Sequence, residues 1–246
     1  MTIRVGIGGW TYEPWRGVFY PEGLVQRREL EYAAKQLTAI EINATFYGRQ
    51  KPASWRKWTE AAPDGFQFSV KASRYSTARK VLAEGKDSIE AFLGQGFTEL
   101  GNKLGPINWQ FADTKRFDRD DFARFLDLIP DNQDGVPLRH ALEARHESFR
   151  DPAFYELARA RNMAIVFADS DDYPCIDEQT ADFAYARLQR SEDGVATGYD
   201  AGALDHWAGK AEEWGADARD TYVFFISGAK VRNPAAARAL IELVGR

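Results

Sequence analysis

Short apolar runs, rich in β-branched and aromatic residues, recur eight times along this chain with polar stretches between them. They are IRVGIGGW (3–10), AIEINATF (39–46), FQFSVKAS (66–73), LGPINWQF (104–111), HALEARH (140–146), AIVFADS (164–170), FAYARLQ (183–189) and TYVFFISG (221–228). Runs of this length and composition read as strands. The gaps between them are too long for hairpins and suit crossovers between parallel strands. Several gaps have helical spacing: Leu30, Ala33, Ala34 and Leu37 share one face, as do Phe122, Phe125, Leu126 and Ile129, and Leu204, Trp207, Ala208 and Ala211. Asp-Pro at 151–152 and Asn-Pro at 233–234 suit helix starts, because proline in the first turn sacrifices no hydrogen bond.

Eight strands alternating with helices in 246 residues predict an α/β fold, a (β/α)8 barrel of the TIM type forming a single domain over 1–246. An open doubly wound sheet is the competing arrangement. Its dinucleotide fingerprint is absent, since Gly6-Ile7-Gly8-Gly9-Trp10-Thr11 lacks the third glycine, and no phosphate-loop motif occurs. No sequence motif implies a cofactor. The hydrophobic content of 44% is enough for a sizeable core, and a net charge of −5 gives no global attraction to nucleic acid or an anionic membrane. Cys175 is the one cysteine, which precludes an intramolecular disulfide and fits a reducing compartment. The opening MTIRVGIGGW has no long apolar signal core, and no run approaches the ~18 apolar residues of a membrane span. A cytoplasmic location is therefore expected.

Barrel strands turn alternate residues toward the helices and toward the axis. In 140–146, Leu142 and Ala144 suit the helix face, which sends Glu143 and Arg145 inward. The same alternation turns Ile40 and Ile42 outward and Glu41 and Asn43 inward, and turns Phe68 and Val70 outward and Ser69 and Lys71 inward. In 183–189, Ala184, Ala186 and Leu188 face out, leaving Tyr185, Arg187 and Gln189 inside. Gln110 and Asp169 are expected to join this axial set. Barrel interiors are usually packed with branched apolar residues, and active sites lie at the C-terminal ends of the strands. A polar interior concentrated at those ends suggests a ligand or catalytic site; a purely structural salt-bridge lattice is the alternative.

The candidate chemistry follows from residue type. Lys71, Arg74, Arg79 and Lys80 cluster after the third strand, and Arg145 and Arg187 join from other strands, which predicts an anion site. Glu143, His146 and Lys71 are the candidate catalytic groups for acid–base work. Trp10, Tyr12, Asn43, Tyr47, Gln110, Arg145, Asp169 and Arg187 are the candidate substrate-binding residues. Trp15, Phe19 and Tyr20 read instead as a satellite core beneath the first loop. With three histidines and an aspartate run, DSDDY (169–173), typical of a solvated turn, no metal site is assigned. The expected partner is a small anionic molecule, with nucleic acid a weakly supported alternative and no membrane partner.

These residues also carry a family resemblance. GIGGWTYEPWRGVFYP (6–21), EINATFYG (41–48), FSVKASR (68–74), LGNKLGPINWQF (100–111), LEARHESF (142–149), YARL (185–188) and GYDAGALDHWA (198–208) resemble the YecE-like family, the conserved domain of unknown function 72. The resemblance implies a TIM-type barrel and no settled reaction. Two strand ends depart from the family pattern, at Gln189-Arg190, where many members continue with His-Gly, and at Ile226-Ser227-Gly228, where members typically show an Asn-rich end. Three functions stand open from sequence: a metal-independent enzyme acting by acid–base chemistry on a small anionic or polyhydroxylated substrate, a metal-dependent phosphodiester hydrolase, and a non-catalytic binder of a phosphorylated metabolite or nucleic acid.

Overall fold

The computed structural model describes residues 2–245. Met1 and Arg246, at the ends of the expected domain span, lie outside the described residues. Eight parallel strands close into a barrel: β1 (Ile3–Gly8), β2 (Ala39–Ile42), β3 (Gln67–Lys71), β4 (Leu104–Gln110), β5 (His140–Glu143), β6 (Ala164–Asp169), β7 (Phe183–Leu188) and β8 (Asp220–Phe225). Neighbours in sequence are neighbours in the barrel, and β8 closes on β1. Helices α1 (Glu29–Gln36), α2 (Pro52–Ala61), α3 (Lys86–Leu93), α4 (Arg119–Leu126), α5 (Pro152–Ala160), α6 (Ala201–Trp214) and α7 (Asn233–Val244) supply the outer layer. The fold is the expected (β/α)8 barrel with one omission. Residues 170–182, between β6 and β7, contain no helix.

Local chemistry accounts for the elements. Pro152 and Pro234 lie in the first turns of α5 and α7, and the Asp151 side chain accepts the Ala153 amide at 2.9 Å. Capping of this kind satisfies a backbone donor that the helix itself cannot. Gly6 is required by packing: a Cβ there would lie 1.9 Å from the Ala39 carbonyl oxygen across the β1–β2 pair. Between β3 and β4 the register slips by one residue, with Phe68 opposite Leu104 but Val70 opposite Ile107. The slip accommodates Pro106, which has no N–H for the ladder, and Ser69 Oγ donates to the Pro106 carbonyl at 2.8 Å.

The alternation separates two cores. Leu142, Ile40, Ile42, Phe68, Val70, Ala184, Ala186 and Leu188 face the helices and belong to the large outer core. An aromatic group, Phe111, Phe122, Phe149 and Phe154, anchors α4 and α5 there, with Phe122 and Phe154 ring centroids 5.3 Å apart. The lower part of the axis is filled by Ala39, Ala141, Ala164, Val166, Phe183, Tyr185, Tyr222 and Phe224. Beneath it, Asp220 pairs with Arg4 at 3.5 Å and Arg139 at 3.0 Å, closing the N-terminal end. The charged layer is thus confined to the C-terminal half of the axis. No helix among the described residues is long and apolar enough to cross a membrane.

Candidate functional site

Arg187 organises the charged layer. It stands on β7 opposite β8 Phe224, fully enclosed, and its guanidinium bridges two carboxylates. One terminal nitrogen donates to both Glu143 oxygens at 2.7 and 2.8 Å, and the other donates to Glu41 at 3.0 Å. The planar fork of arginine makes this bridge possible; a lysine at that position would act as a point charge. Glu143 also accepts from Asn108 at 3.0 Å, Gln110 at 2.8 Å and Arg145 at 3.1 Å. Glu41 accepts from the Tyr185 hydroxyl at 2.6 Å. Burial by itself would raise the Glu143 carboxyl, but Arg187, Arg145, Lys71 and the Asn108 amide outweigh it and hold the group well below the usual carboxylate range. Burial likewise opposes the Arg187 charge, and Glu143 with Glu41 more than restores it.

Above this layer a cavity of about 730 Å³ opens at the C-terminal mouth of the barrel. Lys71, Arg145, Arg187 and Lys230 line it, and Asp113 is the one carboxylate residue among its described lining residues. Asn43, Gln110 and Asn233 add amides, while Trp10, Phe46, Tyr47 and Phe111 add aromatic surface. The volume lies within the ~300–1,000 Å³ typical of small-molecule sites. Lys71 is 8% exposed, with its ammonium 4.4 Å from the centre of the Phe46 ring. Burial and the neighbouring Arg187 lower it from 10.5 to about 8, against the opposing pull of Glu143 and Glu41. Arg145 stacks on Tyr173, 4.2 Å from its ring centre, and Lys230 sits 4.3 Å from that of Tyr12. Burial also lowers Lys230.

The structure brings together most of the residues singled out from sequence. Lys71, Trp10, Asn43, Tyr47, Gln110, Arg145 and Arg187 line the cavity, and Glu143 lies directly below it, bonded to three of them. Three others are placed elsewhere. Asp169 follows the parity of Ile165 and Phe167, which pack on the outer core, and it pairs with Arg190 at 3.4 Å instead of joining the axial network. Burial raises its carboxyl. His146 lies beyond the end of β5, where its Nδ1 accepts the Ser148 amide at 3.0 Å and caps the turn Glu147–Phe149. Tyr12 packs edge-on to Trp15, 5.2 Å between centroids, and reaches the cavity only through Lys230.

The basic run after β3 is also dispersed. Arg79 donates to the Tyr75 and Glu84 carbonyls and to Ser88, which commits it to its own loop. Arg74 lies over Tyr47 and Tyr75. Trp15, Phe19 and Tyr20 form the expected buried satellite core, with Trp15 Nε1 donating to the Lys230 carbonyl at 2.9 Å. Sequence reasoning missed Asn108, Asp113, Lys230 and Asn233. Asn108 was within reach, because it shares its face with Gln110 two residues later; Asp113 and Lys230 belong to connections and Asn233 opens α7, where strand alternation has no meaning. Among the described residues, no group of three or more His, Cys, Asp and Glu side chains is placed to hold a metal ion.

Comparison with known proteins agrees with this architecture. Residues 4–246 match the model of the family described as "Protein of unknown function DUF72". A DUF72 family protein from Thermotoga maritima MSB8 superposes with a TM-score of 0.77 at 26% identity, covering 98% of this chain and 97% of that one. One from Enterococcus faecalis V583 superposes with a TM-score of 0.76 at 18% identity, over 100% and 98% of the two chains, a likeness of fold alone. UPF0759 protein YunF of Bacillus subtilis (strain 168) is 27% identical over 159 residues, 63% of this chain. The match spans about half, 54%, of that curated relative's length.

Proposed function

We propose that this chain, which belongs to the DUF72 family of proteins of unknown function, binds a small carboxylate- or phosphate-bearing molecule at the barrel mouth and moves protons on it. The observation that carries the reading is the lining of the cavity, four cationic side chains against one carboxylate, on a chain whose overall charge is −5. Lys230 and Arg145 are the groups placed to meet the anion: Arg145 shares Glu143 but stays a fifth exposed at the cavity, whereas Arg187 is enclosed and engaged with two carboxylates. Asn43, Gln110 and Asn233 offer donors and acceptors to hydroxyls, and Trp10 and Phe111 offer apolar walls. Lys71 is the proton carrier in this reading, because a lysine near neutrality exchanges a proton at working pH.

Glu143 takes a different part from the acid–base role that its position in the sequence suggests. A carboxylate clasped by two arginines and two amides is a weak base, and it serves as the counter-ion that fixes Arg145 and Arg187. The metal-dependent phosphodiester reading finds no ligand set among the described residues.

The test is a calorimetric and thermal-shift panel of inorganic phosphate, sugar phosphates, short carboxylic acids and oligonucleotides, run on wild type and Arg145→Ala. A ligand at 100 times its dissociation constant adds ~2.7 kcal/mol, or about 5 °C for a chain of this size. A small anion is expected to give that shift and to lose at least tenfold in affinity in the variant, about 1.4 kcal/mol or more. Binding that survives Arg145→Ala unchanged, or no binding by any anion, overturns the proposal.

A further inference from the structure

We infer that Lys71 is a nucleophile toward carbonyl groups, forming an iminium with a small anionic aldehyde or ketone held in the cavity. The inference rests on the anion-binding reading above and narrows it to a substrate class.

Lys71, Lys103 and Lys115 are each less than a tenth exposed. Lys103 donates to the Thr59 and Ala62 carbonyls at 2.8 and 2.6 Å. Lys115 donates to the Lys80 carbonyl at 2.8 Å and pairs with Asp121 at 2.7 Å. Both are structural cations, each held by two acceptors. Lys71 makes no hydrogen bond or ion pair through its amine among the described residues; its one close partner is the face of Phe46. It is also the buried lysine of the three that lines the cavity.

Charge balance gives the reason. The two axial carboxylates, Glu41 and Glu143, are matched by the two guanidiniums, Arg187 and Arg145. The layer is therefore neutral when Lys71 is an amine and carries an uncompensated charge when it is an ammonium. Burying an unpaired charge is costly, so Lys71 gives up its proton more readily than an ordinary lysine, in line with its lowering to about 8. A desolvated lysine next to other cations is the recognised setting for an amine nucleophile. Arg145 and Lys230, lining the same cavity, are the anchors for an anionic group on the ligand. A molecule that satisfies both ends carries a carboxylate or phosphate at one end and a carbonyl carbon at the other.

The step balances within the site. The nitrogen lone pair attacks the carbonyl carbon; the C–N bond forms as the carbonyl π bond opens, and the oxygen takes up the proton released by nitrogen. The hydroxyl then leaves as water with one further proton from solvent, giving the iminium. Its positive charge is carried where Lys71 stood, over the Phe46 ring and above Glu41 and Glu143. It draws electrons from the adjacent C–H bond of the ligand, whose proton passes to solvent water in the open cavity; the amine carries a proton itself only before the iminium forms and after it is hydrolysed.

The experiment incubates the full chain with pyruvate, glyoxylate or dihydroxyacetone phosphate, reduces with sodium borohydride, and reads intact mass and the modified peptide. Calorimetry with the same three probes runs alongside, on wild type and on Lys71→Arg, whose folding is checked by its thermal melt. At pH 7.5 the lowering of Lys71 from 10.5 to about 8 gives it an amine fraction larger by roughly two hundredfold than that of an ordinary lysine. The expected result is one reduced adduct per chain, on the Lys71 peptide, suppressed by inorganic phosphate and absent in Lys71→Arg. Anion binding without a Lys71 adduct overturns the nucleophile and leaves the anion site standing. Adducts spread over lysines equally in wild type and variant overturn it too. Neither binding nor adduct with any probe overturns both readings.

Discussion

Replacing Glu143 with glutamine removes one negative charge from a fully enclosed point of the barrel while keeping the shape of the side chain. In the native protein that carboxylate accepts from Arg187, Arg145, Asn108 and Gln110. The amide would present an NH2 group to a site already crowded with donors, and one carboxylate, Glu41, would remain to face two guanidiniums. Breaking a buried pair by removing one partner costs ~3–5 kcal/mol, because the surviving charge is left uncompensated. Unfolding entropy is about 2.1 cal/mol/K per residue, so a chain of this length loses about 6–10 °C in Tm. Calorimetric or circular-dichroism melts at pH 7.5 measure it directly. The loss should also depend on pH with a definite sign. The folded carboxyl is held below its ordinary value of 4.5, so its stabilisation is fully present above that value and fades as pH falls through it. The gap between wild type and Glu143→Gln should therefore narrow below about pH 4.5. A variant that melts within about 2 °C of wild type at pH 7.5, or above it, would refute the counter-ion role and return Glu143 to the candidates for catalysis.

Two further outcomes follow from the same geometry. Lys71→Met should stabilise the protein at pH 7 by at most about 3 kcal/mol, because the folded state there carries a desolvated ammonium that the unfolded chain does not. That advantage should shrink between about pH 8 and 10.5, where unfolded lysine keeps its proton and Lys71, facing Arg187, Arg145, Glu143 and Glu41, has released it; a pH-independent gap in paired melts would contradict this. Gly6→Ala should lower stability by more than the ~1–3 kcal/mol usual for overpacking, since the added methyl meets backbone and not a movable side chain; a variant melting like wild type would show that β1 and β2 can part without loss.

Facing was legible wherever one side of a strand is strictly apolar. Ile40 and Ile42, Phe68 and Val70, and Ala184, Ala186 and Leu188 leave no choice for Glu41, Lys71 and Arg187 between them. The signal fails in β6, where AIVFA is apolar on both faces: Ala164 and Val166 go to the axis, and Ile165 and Phe167 to the helices. Asp169 at its end could be assigned to either side from composition, and it lies on the helix side, with Arg190. In β4 the count starts afresh after the slip at Pro106, and there Ile107 and Trp109 face out and leave Asn108 inward with Gln110. Alternation has no bearing on Lys230 and Asp113, which reach the cavity from connections, on Asn233, which opens α7, or on His146, which has left its strand.

The order of the strands, their spacing and, where one face is strictly apolar, the side each residue faces were written in the sequence, because they follow from solvent exclusion acting on neighbours along the chain. Which charges meet was decided only by the tertiary structure. Glu143 and Lys71 are equally inward-facing residues at strand ends, and nothing in their sequence neighbourhoods separates them. In the closed barrel one is clasped by four donor residues and the other by none. Coulomb energy depends on distance in space and on how much water remains between the charges. Strands that lie far apart in sequence set both, and with them the different chemistry of the two groups.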